Sequence, residues 1–216
     1  SGQLISSILA VSCVTVGFCS NFLMVQDKAL GNFKDLSITP VKASTLSLSY
    51  FFASLVSTLV ICFVGMGACL IYASLTGWYM NFTDILLLMF DVLLLVLFGT
   101  VLSSIINFFL STQGQISAVG TIISSVYCFI CGAYMPISSF SDGLQKVISF
   151  LPGTYGTSLF RNHAMGGAIR ALKEEGIPDV VIDSIRDAVD CNVYFFGERV
   201  EPYVMYVILV SSIALL

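Results

Sequence analysis

The sequence predicts an all-α integral membrane protein. Hydrophobic residues make up 57% of the 216 residues and charged residues only 10%, whereas a soluble domain carries about 25% charge. The apolar residues also form long uninterrupted runs, which are typical of membrane-spanning helices. None of these runs alternates apolar and polar residues as the strands of a membrane barrel do. Lipid is therefore the expected surroundings of most of the chain.

Five apolar runs are interpreted as membrane spans of a single transmembrane domain, residues 1–216. They lie at about 4–25, 45–75, 84–110, 116–137 and 203–216. The last run has about 14 residues, which as a helix would measure roughly 21 Å and fall short of the ~30 Å hydrocarbon core. We therefore expect this span to continue beyond Leu216.

The charged residues are concentrated in two parts of the chain. Of 9 basic and 13 acidic residues, fifteen lie in 138–202 and five in 26–44. The loop 26–44 contains three lysines and the loop 76–83 contains none, so the positive-inside rule places 26–44 in the cytoplasm and 138–202 outside the cell. The net charge of −4 argues against nucleic acid as a partner.

An amphipathic helix is predicted after the first span. From Asp27 onward, apolar residues recur at positions i, i+4 and i+7, and polar residues fall on the opposite side. The polar side comprises Lys28, Gly31, Lys34 and Asp35. This helix would lie flat at the membrane surface and end before Pro40. The pattern fits either a loop anchored to the headgroups or a helix that docks on a cytoplasmic partner.

Two passages resemble signatures of the permease subunits of type 2 ABC transporters. QDKALGNFKDLSITPVKASTLSLSY, after the first span, is similar to a D/E-K-x-x-G…L…TP(V/I) passage of that family. CGAYMPISSFSDGLQKVISFLPGTYGTSLFRN, residues 131–162, resembles a passage in which a span ends in Gly-x-x-x-Pro, an amphipathic helix follows, and Leu-Pro leads to an Arg. The positions concerned are Gly132, Pro136, Leu144, Pro152 and Arg161. The amphipathic helix is predicted to start at Ser141 and to be stopped by Pro152.

This resemblance implies a six-span type 2 ABC permease fold, of which five spans are visible, with the first span absent from this sequence. Residues 26–44 would be the cytoplasmic coupling helix, which contacts a separate ABC ATPase subunit through Asp27, Lys28, Gly31, Lys34 and Asp35. Residues 138–202 would contain an outer re-entrant helical segment. The spans at 4–25 and 116–137 would line the transport path. About 40 residues, 166–201, exceed what the family pattern explains.

The function implied by the resemblance is that of a membrane-spanning subunit of an ATP-driven exporter in the plasma membrane. Its cargo would be an amphipathic, lipid-like, drug or peptide molecule, and it would pair with an identical or similar permease. The sequence contains no GxxxxGK[ST] motif, so the chain is expected to be no enzyme and to hold no cofactor, with ATP and Mg²⁺ on the partner ATPase.

Asp91 is a single carboxylate within the third apolar run. A carboxylate facing lipid costs ~2.5–3.5 kcal/mol on insertion scales, so Asp91 is expected to face another helix or a wet cavity. Either it is a partnered polar group that fixes helix packing, or it carries an ion or proton. In the second case the chain would be an ion-coupled secondary transporter. His163 is expected to be a surface or interfacial residue outside the membrane.

Overall fold

Three long apolar helices form the centre of the protein. The computed structural model describes residues 2–32, 42–135, 137–195 and 198–216. Helices α1 (Gly2–Leu30), α2 (Ala43–Thr76) and α3 (Phe82–Phe108) are, among these residues, the ones long and apolar enough to cross a membrane. Even α3, with 27 residues, reaches about 40 Å, which exceeds the ~30 Å hydrocarbon core.

The remaining elements are shorter and lie mostly after residue 110. They are α4 (Gln113–Ile122), a π-helical turn (Ile123–Tyr127), α5 (Cys128–Ile130), a 3-10 turn (Ile137–Ser139), α6 (Asp142–Ile148), α7 (Pro152–Glu174), α8 (Asp179–Ala188), β1 (Tyr194–Phe195), β2 (Glu198–Arg199) and α9 (Pro202–Leu215). The two strands pair antiparallel, with Tyr194 opposite Arg199. Helix α9 is apolar.

Helix α1 is the hub of the bundle, because it packs against α2, α3 and α7. Its buried face includes Leu9, Cys13 and Phe18, each at most 1% exposed. The backbones of α1 and α3 approach closely, and a Cβ placed at Gly99 would lie 3.4 Å from the carbonyl oxygen of Cys13. In lipid the hydrophobic effect does not drive helices together, so van der Waals contact matters more, and small residues allow the close approach that provides it.

A buried amide reinforces the packing of α1 on α3. Asn21 is 2% exposed, and its Nδ2 donates to the Thr100 carbonyl oxygen at 3.2 Å and to the Ser104 Oγ at 2.7 Å. An amide group left without partners in an apolar interior would cost several kcal/mol. These two bonds therefore fix which face of α1 contacts α3.

The fourth helical stretch ends at Ile130 rather than near 137. Gly132 adopts a φ of +76°, and the Ala133 N–H donates to the Cys128 carbonyl at 3.1 Å. This arrangement is a glycine-terminated helix end, in which the left-handed residue turns the chain away from the axis. The chain therefore leaves the helix before reaching Pro136, which lies outside the described residues.

Pro152 starts a helix instead of stopping one. Helix α6 has already ended at Ile148, and Pro152 is the first residue of α7. A proline fits there because the first N–H of a helix has no intrahelical partner and the ring fixes a helical φ. Ser141 occupies the N-cap position of α6, but its hydroxyl makes no capping hydrogen bond. Helix α7 was not predicted from the sequence.

The two charged parts of the chain lie at opposite ends of α3. At one end, Lys28 Nζ lies 3.4 Å from the Phe108 carbonyl oxygen. At the other end, Arg170 pairs with Asp84. Asp84 and Phe108 are separated by about 36 Å of helix. Lys28 in the last turn of α1 and Arg170 on α7 are therefore held about a membrane thickness apart.

Candidate functional site

The last turn of α1 carries the first residues of the predicted coupling helix. Asp27 and Lys28 continue α1 without a break, and Gly31, with a φ of +86°, follows its end. A left-handed φ is one that glycine adopts without strain. Lys34 and Asp35 lie in 33–41, outside the described residues.

Asp27 connects the end of α1 to the start of α2. Its Oδ2 accepts a 2.6 Å hydrogen bond from the Tyr50 hydroxyl, and its Oδ1 accepts one from Asn32 Nδ2 at 3.3 Å. A hydrogen bond to a charged carboxylate is about twice as strong as one between neutral groups. The contact joins the two helices that flank the charged passage.

Lys28 connects the same turn of α1 to the end of α3. Its ammonium lies 5.4 Å from the centre of the Phe108 ring and contacts the Phe108 carbonyl at the carboxyl end of α3. Both the ring face and the helix carboxyl end attract a cation. Asp27 and Lys28 together therefore link one turn of α1 to both neighbouring helices.

Asp91 lies at a junction of three helices. It is 3% exposed, its Oδ2 lies 2.5 Å from His163 Nδ1 on α7, and its Oδ1 accepts a 2.5 Å bond from the Tyr206 hydroxyl on α9. The His163 and Tyr206 rings are stacked, with centroids 6.3 Å apart. An ionised carboxylate only accepts hydrogen bonds, so with Asp91 ionised the Nδ1 of His163 carries the hydrogen.

The structure corrects the expected position of His163. Its side chain is 14% exposed, so it belongs to the helix bundle rather than to the surface. The earlier expectation failed because α7 was not predicted, and without that helix nothing in the sequence brought His163 near Asp91.

A second contact joins α3 to α7 near the amino end of α3. Arg170 Nη1 donates to Asp84 Oδ1 at 3.2 Å, and its Nη2 bonds the other carboxylate oxygen. Asp84 Oδ2 also accepts from the Asn81 N–H at 2.9 Å. The Arg170 side chain is 47% exposed, so this pair is screened by solvent more strongly than the Asp91 contact.

Arg161 is the centre of a third polar cluster. Its side chain is 1% exposed; Nη1 lies 3.0 Å from Asp190 Oδ2, and Nη2 donates to the Gly132 carbonyl. The same Asp190 oxygen accepts a 2.5 Å bond from the Ile137 N–H. The cluster therefore joins α7, the chain that follows α5, the 3-10 turn, and the loop after α8.

A groove runs beside the amino-terminal half of α1. Its volume is about 530 Å³, and its walls mix hydroxyl and apolar groups. The groove is lined on one side by residues of α1, among them Leu4, Ser7, Ile8 and Ser12, and on the other by Ala133 and Tyr134 from the chain after α5. The groove therefore lies between the first and fourth predicted spans.

Comparison with known proteins identifies the family. Residues 1–164 match the family model described as ABC-2 type transporter. The chain belongs to the ABC-2 type transporter family. It is thus a transmembrane permease of an ABC transporter. No curated protein and no solved structure matches the chain.

The family match divides the polar clusters of this ABC-2 permease. Asp91, His163 and Arg161 lie inside residues 1–164, whereas Asp190 and Tyr206 lie beyond them. Asp91 and Arg161 therefore each obtain one partner, Tyr206 and Asp190 respectively, from the part of the chain that the family model does not cover.

The predicted outer residues have different positions in the permease. Gly132 and Arg161 are in direct contact, Pro152 begins α7, and Leu144 is 39% exposed on α6. Asp190 and Arg170 were not predicted from the sequence as partners of Arg161 and Asp84. A buried arginine needs a nearby carboxylate, so an acidic partner for Arg161 could have been expected. The spacing of the nine acidic residues in 138–202 does not indicate which of them it is.

Proposed function

We propose that this ABC-2 permease is the membrane-spanning subunit of an ATP-driven exporter, and that residues 26–44 dock on a separate ABC ATPase. The observation that carries the proposal is the double connection of the last turn of α1. Asp27 bonds Tyr50 of α2 and Lys28 contacts Phe108 of α3. A force applied at the charged passage would therefore reach three helices at once.

The mechanism follows from this connection. The partner ATPase would hold ATP and Mg²⁺, and closure of its dimer would displace the passage after α1. Because α1 is joined to α2 and α3 at this end, the three helices move as one group. The movement favours one of two access states, since the closed ATPase binds that state better. A second permease, identical or similar, completes the path.

The groove beside α1 supports an amphipathic cargo. Hydroxyl groups of Ser7 and Ser12 alternate along it with the apolar side chains of Leu4 and Ile8. Such a wall can contact an apolar chain while offering hydrogen bonds to a polar group. Lipid-like, drug and peptide molecules share that character.

Charge reversal in the passage tests the docking proposal. The double variant Lys34→Glu with Asp35→Lys should reduce co-purification of the ATPase and its stimulation by the permease, with the fold unchanged. A matched control is available at the other charged part of the chain, where Lys173 and Asp179 form an exposed pair at 2.9 Å. Lys173→Glu with Asp179→Lys should leave ATPase binding intact. ATPase binding that is unaffected by the Lys34 and Asp35 reversal contradicts the proposal.

The Asp91–His163 contact favours a second function, ion-coupled secondary transport. Two titratable side chains lie 2.5 Å apart inside the helix bundle, a distance over which a proton can pass between them. Transport in proteoliposomes distinguishes the two functions. Cargo movement driven by a pH gradient without ATP, and abolished in Asp91→Asn, supports ion coupling. Movement that needs ATP and persists in Asp91→Asn supports the exporter.

A further inference from the structure

We propose that the loop carrying Asp190, within the insert at residues 166–201, works as a latch on the outer end of the transport path, and that Asp190 is the residue that makes the latching contact. In the latched state Asp190 holds the chain after α5 in place, and export requires this contact to open. The inference rests on the proposed exporter function and assigns a role to the part of the insert that contains Asp190.

Arg161 depends on the insert for the carboxylate that neutralises it. Arg161 lies within the family match, but the carboxylate that neutralises it, Asp190, lies beyond that match. Both side chains are at most 5% exposed. Removing one partner of a buried ion pair is strongly destabilising, because a bare charge remains in the interior. The loop that carries Asp190 therefore completes a buried ion pair of the bundle.

Asp190 and Arg161 both contact the chain that forms the wall of the groove. The Ile137 N–H donates to Asp190, and Arg161 donates to the Gly132 carbonyl. Between these two points of attachment lie Ala133 and Tyr134, which line the groove beside α1. The polar cluster therefore fixes both ends of the short stretch that closes one side of the groove.

The loop carrying Asp190 has a second attachment, which does not involve the groove wall. The Cys191 carbonyl accepts bonds from Ser158 Oγ at 3.0 Å and from Asn162 Nδ2 at 2.5 Å, both on α7. Asp190 itself has a φ of 52°, a conformation in which aspartate is enriched. The loop thus has its own attachment to α7, so the groove wall can separate from Asp190 while the loop stays in place.

Hydrogen–deuterium exchange of the full-length protein in lipid nanodiscs tests the latch directly. In Asp190→Gly, which removes the carboxylate and accepts the positive φ, exchange in residues 132–140 should accelerate about tenfold or more without nucleotide. Arg161→Met with Asp190→Gly leaves no buried bare charge and should show the same acceleration, which covers the case in which the single variant fails to fold. Asp183→Asn, a change at an exposed acid of α8, is the matched control. Unchanged exchange at 132–140 in the double variant overturns the proposal.

A second arm tests whether the latch opens during export. With the ATPase bound and hydrolysing ATP, the wild-type protein should exchange faster at 132–140 than without nucleotide, and Asp190→Gly should gain nothing further. If exchange at 132–140 in the wild-type protein is the same with and without ATP turnover, the role of the latch in export is overturned. A failure of the exporter proposal itself would appear as absent ATPase binding. The nucleotide-free comparison of exchange rates needs no ATPase, so its result could still be interpreted.

Discussion

The Nδ1 atom of His163 lies 2.5 Å from the Oδ2 atom of Asp91, across the interface of α7 and α3. A second pair, Arg170 with Asp84, joins the same two helices. Each pair is seven residues from the other along its helix, and seven residues make nearly two full turns. The two contacts therefore lie on one face of each helix and set the register of α7, which runs antiparallel to α3.

Removal of the His163 imidazole should destabilise the protein more than removal of the Arg170 guanidinium. His163→Leu leaves the buried Asp91 without one of its two partners and should cost about 3 kcal/mol. Arg170→Gln breaks a pair that is half exposed on the arginine side and should cost about 1 kcal/mol or less. Thermal unfolding in detergent measures both. His163→Leu combined with Asp91→Asn should recover part of the loss, and equal losses in the two single variants would contradict the burial argument.

Adjacent glycines of α7 should respond oppositely to alanine. A Cβ at Gly167 would overlap the Tyr79 carbonyl oxygen, which is backbone and cannot move aside, whereas a Cβ at Gly166 finds its nearest atom at 3.5 Å. Gly167→Ala should destabilise by about 1–3 kcal/mol through overpacking. Gly166→Ala should be neutral or stabilising by up to ~1 kcal/mol, because alanine favours the helix. The same unfolding assay compares them, and a stable Gly167→Ala would show that α7 does not pack tightly on the loop before α3.

The helices that the sequence predicts well are those whose apolar runs are long. Helix α3 contains two charges, Asp84 and Asp91, in 27 residues, and its extent follows from composition alone. Helix α7 is difficult to predict because it contains four glycines, which lower helix propensity, and because its polar residues make its apolar face discontinuous. Its partners on α3 could have been recognised from spacing, since Asp84 and Asp91 are separated by the same seven residues as His163 and Arg170.

The position of Asp190 could not be predicted in this way. Asp190 contacts Arg161 across 29 positions of sequence, which include the end of α7 and all of α8. No helical or strand period relates the two residues. The helix end at Gly132 could have been predicted, since a glycine shortly before a proline is a common helix terminus. The apolar residues on both sides of Gly132 instead suggested an uninterrupted span. Sequence periodicity thus locates the spans, and tertiary contacts decide which polar residues meet.

The Cys191 thiol should react slowly, and its reaction rate should rise with pH over an unusually wide range. Burial raises the pKa of Cys191 from 9.0 to about 11, with Arg161 partly opposing the shift. Only the thiolate is alkylated, so its fraction should increase about tenfold per pH unit until pH 11 rather than levelling near 9. Mass spectrometry after treatment with a membrane-impermeant maleimide measures the rate at this residue. A rate that levels off near pH 9 would mean that Cys191 is accessible to water.

The hydrogen bond between Tyr50 and Asp27 should matter for coupling and not for docking. Tyr50→Phe removes the hydroxyl that joins α2 to the last turn of α1 while leaving the charges of the passage after α1 intact. Under the exporter proposal, the ATPase should bind and hydrolyse ATP as before, and transported cargo per ATP should fall several-fold. Tyr72→Phe is the matched control, because Tyr72 is on the same helix and is 47% exposed. If both variants transport equally well, the force reaches α2 by another route, and Lys28 with Phe108 becomes the contact to remove next. If Tyr50→Phe instead abolishes ATPase binding, the end of α1 belongs to the docking surface itself and does not merely transmit its movement.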